Sequence, residues 1–270
     1  TCLPEQSASL RSLQQNGFIP ALQIKYVLGP YTGTALYPKA ISSYLRSKNI
    51  KDDDNITSLK WRAGEWPGYL EVITSKGIAV KTPKVYYNYL IPFFITQTSL
   101  QNMDFTNEFA DLAVGDAWSP EFESKGGGYS VVVTRTSKME TIIEDMMNKN
   151  ILNLKNIDPI KASDMHGHML DFKKRGSYIR NRLRNFFGFY APDFGYKPDK
   201  ITLSRVIIEM FIYAIFLIGK TTFARWLISK LPEFFIGPIF NFLRLFWKKI
   251  SRPTKRKGLA EYKVIIKKKK

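Results

Sequence analysis

The chain has 270 residues, 44% hydrophobic and 14% aromatic, enough to bury a full core as one large domain or as one domain with an appendage, so disorder is not the default. Its formal net charge is +18, but from Lys173 onward there are 24 Lys and Arg against 5 acids, which leaves 17 bases and 18 acids in the first 172 residues; a neutral body with a basic tail argues against a uniformly basic nucleic-acid-binding domain and brings in an anionic membrane surface. The single cysteine, Cys2, excludes an internal disulfide framework and any metal site built from several thiolates, and fits a reducing compartment.

In chain order, helix-like and strand-like signals alternate, which predicts an α/β fold. Gln6–Asn16 has helical spacing and ends at Gly17; Ala21–Gly29 reads as a strand closed by Gly29-Pro30; Pro38–Arg46 reads as a helix with proline near its first turn. A polar loop, Lys51–Asn55, precedes three short strands at Ile56–Trp61, Tyr69–Thr74 and Gly77–Lys81, with turns at Trp66-Pro67-Gly68 and Ser75-Lys76-Gly77. Val85–Pro92 reads as a short aromatic helix. Ala110–Val114 and Tyr129–Thr134 are strand candidates around the loop Gly126–Gly128, the second apolar enough to suggest burial on both faces. Met139–Lys149 has helical spacing.

After Asp171 the composition changes. Lys173, Lys174, Arg175, Arg180, Arg182 and Arg184 form a basic, helix-like stretch, followed by a proline-containing linker, Ala191–Pro198. Val206–Ile218 is apolar except Glu209; it is well short of the roughly 20 residues that cross a bilayer as a helix, and reads as a buried or interfacial helix. Pro238–Ile250 sets a narrow polar stripe (Asn241, Arg244, Lys248) opposite a broad aromatic face, which suits an interfacial membrane helix or one packed on its own domain or a partner. The cluster Lys255–Lys257 and the four terminal lysines read as a solvated tail that can add attraction to anionic lipid. No secretory leader is visible at Thr1, and a missing N-terminal part could have carried one. The expected organisation is a catalytic body over 1–171 and a basic helical extension over 172–270, cytoplasmic or peripheral on the cytoplasmic face of a membrane.

Three motifs are rejected. Gly219-Lys220-Thr221 resembles the end of a phosphate-binding loop, but Ala214 stands where the earlier glycine is required and the context is an apolar helix. His166 and His168 read as structural or surface residues rather than metal ligands. No GxGxxG follows a strand, so a doubly wound dinucleotide fold has no support.

The informative stretch is Met103–Trp118, MDFTNEFADLAVGDAW. Glu108, Asp111 and Asp116 lie within nine positions, with Gly115 beside the last. Such carboxylates can accept hydrogen bonds from a ribityl, ribose or ring N–H group; helix capping and turn formation explain the same spacing. Arg135, ending the following strand, can neutralise a phosphate or pair with one of these acids.

This stretch, with Gly126-Gly127-Gly128 and YSVVVTRT, resembles the C-terminal domain of the coenzyme F420 (a deazaflavin) hydrogenase/dehydrogenase beta-subunit family. The similarity starts at LPEQSASLR (Leu3–Arg11), passes through YVLGPYTGT and WRAGEWPG, and reaches about Asp171. The resemblance implies a flavoprotein oxidoreductase with FAD and usually a 4Fe-4S cluster, a hydride donor such as coenzyme F420 or NAD(P)H, a redox partner subunit, and an N-terminal region upstream. It places Asn107, Glu108, Asp111, Gly115 and Asp116 near the cofactor and Arg135 near a phosphate. The chain departs from the family where iron ligands are expected: Glu5, Thr32, Ser99 and Asn102 occupy the four cysteine positions. None of these replaces a thiolate on iron. The expectation is therefore hydride exchange at a flavin without a cluster; the alternative is a catalytically silent domain that docks on a membrane or redox partner.

Overall fold

The computed structural model describes residues 1–50, 55–66, 68–77, 79–83, 88–250 and 264–267. The fold is mixed α/β, as the alternation predicts. Helix α1 (Pro4–Gln15) begins on a proline, which has no N–H to leave unpaired, and Gln6 Oε1 accepts from the Leu3 amide at 2.8 Å. Gly17 follows its end at φ +74°. Next come α2 (Ile19–Leu22) and β1 (Leu28–Pro30). The predicted strand over Ala21–Gly29 is thus reduced to its last residues. Only Leu28–Pro30 finds a partner strand, while the Val27 amide donates to the Asp111 carboxylate at 2.7 Å.

Helix α3 (Lys39–Ser47) leads to an antiparallel meander, β2 (Ile56–Ala63), β3 (Tyr69–Thr74) and β4 (Ala79–Pro83), with β3 central. Along β3 the side chains alternate: Leu70, Val72 and Thr74 are buried, whereas Glu71 on the other face meets Lys60 and Lys81 at 3.4 Å each. Residues 51–54 of the predicted polar loop, Pro67 at the centre of its turn, Ile78, Lys84, and residues 85–87 of the predicted aromatic helix lie outside the described residues. The rest of that helix is a 3-10 turn (Asn88–Leu90) and α4 (Ile91–Phe94), followed by α5 (Gln97–Gln101), which Thr96 caps.

Strand β5 (Leu112–Asp116) lies between β1, parallel, and β6 (Ser130–Thr134), antiparallel; α6 (Pro120–Glu123) sits in the connection. Burial of β6 on both faces is corrected by the structure. Among the described residues it pairs only with β5, and only Val131 is buried. Helices α7 (Ser137–Asn148), α8 (Pro159–Met165) and α9 (Gly167–Asp171) come next, then a π-helical turn over Phe172–Ser177 that runs into α10 (Tyr178–Phe186).

Half of the basic stretch points inward, while Arg182 is exposed and Arg175 and Arg184 are partly so. Lys173, Lys174 and Arg180 are buried, because each finds partners inside: Ser99 O for Lys173, Glu108 for Lys174, Glu209 and Leu100 O for Arg180. Strand β7 (Tyr196–Pro198) pairs with β8 (Val264–Ile266), so part of the lysine-rich end is a strand. Three helices complete the described chain: α11 (Leu203–Gly219), α12 (Thr222–Lys230) and α13 (Glu233–Ile250). Ile228 and Ile236 share one buried cluster with Tyr44, Leu70, Val72 and Phe94, and Phe216 packs with Ile95 and Leu100. The residues after 171 therefore fill part of the same core as the residues before it.

Candidate functional site

The acidic stretch enters β5 through a tight turn in which Asn107 takes φ +58°. Asparagine tolerates this left-handed conformation better than most residues. Its side chain is fully enclosed: Oδ1 accepts from Ser7 Oγ, and Nδ2 donates to Cys2 O at 2.7 Å. Gly29 makes room for it, since a Cβ there would lie 1.8 Å from Asn107 Nδ2. Asp111 is also committed internally. Its Oδ2 accepts from the Val27 amide at 2.7 Å and meets Arg11 at 2.9 Å. These two residues join α1, β1 and β5.

The remaining predicted residues fall into two groups, one at each end of β5. Beyond its C-terminal end, Asp116 pairs with Arg62 at 3.1 Å, and the Arg62 guanidinium lies 4.7 Å from the Trp66 ring and 5.9 Å from that of Trp118. The two indoles are 4.9 Å apart. Gly115 carries the Tyr31 ring, which a Cβ would meet at 2.2 Å, and Gly128 approaches Trp66 with a would-be Cβ distance of 3.3 Å. This is the edge of a parallel pair from which loops project ligand-binding groups in open α/β sheets.

The second group precedes β5. Asp104 is buried; Oδ2 accepts from the Glu108 amide at 2.7 Å and Oδ1 has no hydrogen-bond partner among the described residues. Burial, then the neighbouring Glu108 charge, pushes its carboxyl up to about 6, against the pull of the Glu108 amide, Lys174 and Arg135. Glu108 pairs with Lys174, which also donates to the Tyr196 hydroxyl at 2.7 Å. Arg135 Nη2 donates to Thr106 O and Oγ1 at 3.0 and 3.2 Å, while its Nη1 is buried without a hydrogen-bond partner among the described residues. The Arg135 charge also acts on the Tyr31 phenol, whose pKa burial raises. Tyr31 thus stands between the two groups, packed against Phe105 and His166 at 5.3 and 5.1 Å between ring centroids. His166 is buried in this aromatic packing and His168 is exposed.

The register Asp116↔Ser130 and Leu112↔Thr134 sets Asp116 and Arg135 at opposite ends of the ladder, roughly 17 Å apart at the usual strand rise. A ligand touching both must be long. Among the described residues, Arg135 Nη1 and Asp104 Oδ1 are a buried donor and a buried acceptor left without a hydrogen-bond partner, and the Trp66 and Trp118 pair lies at the other end of β5. Sequence reading named Arg135 but gave no role to Tyr31, Arg62, Trp66, Asp104 or Trp118; WRAGEWPG and YVLGPYTGT contain Arg62, Trp66 and Tyr31, and the acidic stretch itself contains Asp104 and Trp118.

The four positions where cysteines were expected do not fit a cluster. Asn102 Nδ2 donates to Glu5 Oε2 at 3.3 Å, Ser99 Oγ accepts from the Ala35 amide at 2.9 Å, and the Thr32 amide bonds Phe105 O at 2.9 Å. Lys173 enters the same place, donating to Ser99 O at 2.7 Å. Burial, then the Arg180 charge, lowers its pKa to about 7, with Glu5 and Asp104 opposing. A cation and hard oxygen and amide groups stand where soft anionic sulfur would be needed.

A family model that describes the C terminus of the beta subunit of coenzyme F420 hydrogenase/dehydrogenase matches residues 1–160. Among solved structures, a chain from the F420-reducing [NiFe] hydrogenase complex of Methanosarcina barkeri, studied by xenon derivatization, is similar with a TM-score of 0.48 at 16% identity, covering 70% of this chain and 63% of that one. The chain therefore spans just under two thirds of that relative's length. No curated protein matches the sequence.

Proposed function

We propose, from the premise that the chain belongs to the family formed by the C-terminal region of coenzyme F420 hydrogenase/dehydrogenase beta subunits, that it is a flavin-binding oxidoreductase module that exchanges hydride and works without an iron-sulfur cluster. The observation that carries this reading is the pair of buried polar atoms without a hydrogen-bond partner among the described residues, Arg135 Nη1 and Asp104 Oδ1. A buried polar group left unpaired costs about 1–3 kcal/mol, which a ligand would recover.

FAD, when bound, supplies the ring that takes up and gives back a hydride. Arg135 binds a phosphate through Nη1. Asp104 accepts from a ring N–H or ribityl hydroxyl, and Glu108 keeps Lys174 in place beside it. Asp116 and Gly115 border the ring, with Trp66 and Trp118 as its apolar cover, while Asn107 and Asp111 position the strand that carries them. Reduced coenzyme F420 or NAD(P)H is the donor. With no thiolates at Glu5, Thr32, Ser99 and Asn102, electrons leave in pairs, as hydride, to a redox partner subunit or a diffusible acceptor. The basic, aromatic stretch 204–270 holds this assembly at an anionic membrane surface.

Titration with FAD, followed by flavin fluorescence, tests the reading. Arg135→Ala, which removes one charge-assisted hydrogen bond, is expected to weaken binding roughly 10- to 150-fold, and anaerobic treatment with iron and sulfide should add no cluster absorption. Folded protein that retains no flavin at any FAD concentration would overturn it.

A further inference from the structure

Helix α11 (Leu203–Gly219) is turned inside out relative to a helix on a water-soluble surface. Apart from Ser204, its strongly polar residues, Arg205 and Glu209, are 2% and 0% exposed. They face inward because Arg180 and Asp171 receive them: Arg205 bonds Glu209 at 2.6 Å and Asp171 at 3.0 Å, and Arg180 pairs with Glu209. The outward stripe, Leu203, Ile207, Met210, Phe211, Ile215 and Ile218, recurs at helical spacing and is 46% to 76% exposed, without a charge. A helix bordering water carries its charges on this side.

The stripe continues around a 76° bend onto α12 (Thr222–Lys230), where Phe223 and Trp226 are 69% and 55% exposed with their rings stacked at 6.0 Å. Patches of this extent mark interaction surfaces. Charge selects the occupant. Between Lys200 and Pro232 the only acid is the buried Glu209, whereas exposed Lys220 and Lys230 flank α12. A cationic rim around aromatic and aliphatic side chains complements an anionic lipid surface.

The mode of contact also follows. No single described helix is long and apolar enough to cross a membrane; α11 and α12 reach that length and apolarity only together, across their 76° bend. Tyr213, Phe216 and Gly219 hold α11 flat on the body, so closely that a Cβ on Gly219 would lie 2.4 Å from Pro92 O. The helix therefore offers its flank, not its end.

We infer that the outward flank of α11 and α12 is a monotopic docking surface that seats in the headgroup boundary of an anionic bilayer. This deepens the membrane reading and is independent of the flavin. The full chain is sedimented with phosphatidylcholine vesicles, with and without phosphatidylglycerol, beside Phe211→Ser/Ile218→Ser/Trp226→Ser and a variant truncated after Ile250. The wild type is expected to bind the anionic vesicles. The triple variant should lose at least about tenfold in partition, because three exposed apolar side chains are removed, while keeping its thermal unfolding transition and its FAD affinity. Brominated lipid should quench fluorescence in the wild type and much less in Trp226→Phe. Binding abolished by the truncation but kept by the triple variant overturns the flank assignment and leaves the membrane reading standing. No vesicle binding by the wild type, or wild-type dimers that the triple variant dissolves in the absence of lipid binding, overturns both.

Discussion

Lys173 is 1% exposed and donates to the Ser99 carbonyl, beside Glu5 and Asp104. Its folded pKa of about 7 lies below the ordinary 10.5, so from about pH 7 upward the unfolded chain holds a proton that the folded chain has released, and stability rises with pH. Asp104 works the other way. Its folded pKa of about 6 exceeds the ordinary 3.8, so between these values the folded chain keeps a proton the unfolded chain has lost, and stability falls as pH rises. Urea midpoints across pH are therefore expected to pass through a trough between about 6 and 7. Lys173→Met should flatten the alkaline limb and Asp104→Asn the acid limb; an alkaline limb unchanged in Lys173→Met would assign it to another group. Gly115 gives a second prediction at this scale. Alanine there would put Cβ 2.2 Å from the Tyr31 ring, which Phe105 and His166 hold in place, and overpacking of this kind costs about 1–3 kcal/mol. Thermal unfolding reads that loss directly, and weaker FAD binding should accompany it if Tyr31 lines the cofactor.

The elements show why periodicity located the longer helices α1, α3, α7, α10, α11 and α13, missed α12 and the shorter ones, and misjudged two strands. Repeating apolar spacing marks α1, α3, α7 and the meander β2–β4, since these need only one buried face each. The run 21–29 has β-forming side chains, yet Asp111 takes the Val27 amide, and a sequence window does not contain that distant acceptor. Strand β6 has the apolar content of a central strand and lies at an edge among the described residues. In α11, Glu209 interrupts an apolar run and is buried between two arginines. Glu209→Gln leaves Arg180 and Arg205 without their shared counter-charge and is expected to cost about 3–5 kcal/mol in urea unfolding. A cost under about 1 kcal/mol, the range of an exposed pair, would mean that the arginines find other partners.

For the molecule as a whole, the change of composition at Asp171 suggests a body and an appendage, but the structure threads the two together. Arg180 donates to Leu100 O, Ser177 Oγ donates to Asn102 O, and Ile228 and Ile236 pack with Leu70 and Val72. A fragment ending at Asp171 is accordingly expected to unfold non-cooperatively or aggregate, as circular dichroism melting and light scattering would detect; a sharp, native-like transition would mean that the first 171 residues complete their own core. What the sequence by itself determined was the α/β class, the family, the absent thiolates and the acidic stretch around β5, because each is written in residue types, local order or short-range spacing. Only the tertiary structure decided that Asn107 and Asp111 join the fold together, that Arg135 and Asp104 keep atoms without a hydrogen-bond partner among the described residues, that Lys173 and Arg180 point inward, and that α11 turns its apolar flank outward. Hydrogen-bond partners 80 to 105 positions away along the chain and the side of a helix left uncovered are properties of the packed chain, which no local pattern encodes.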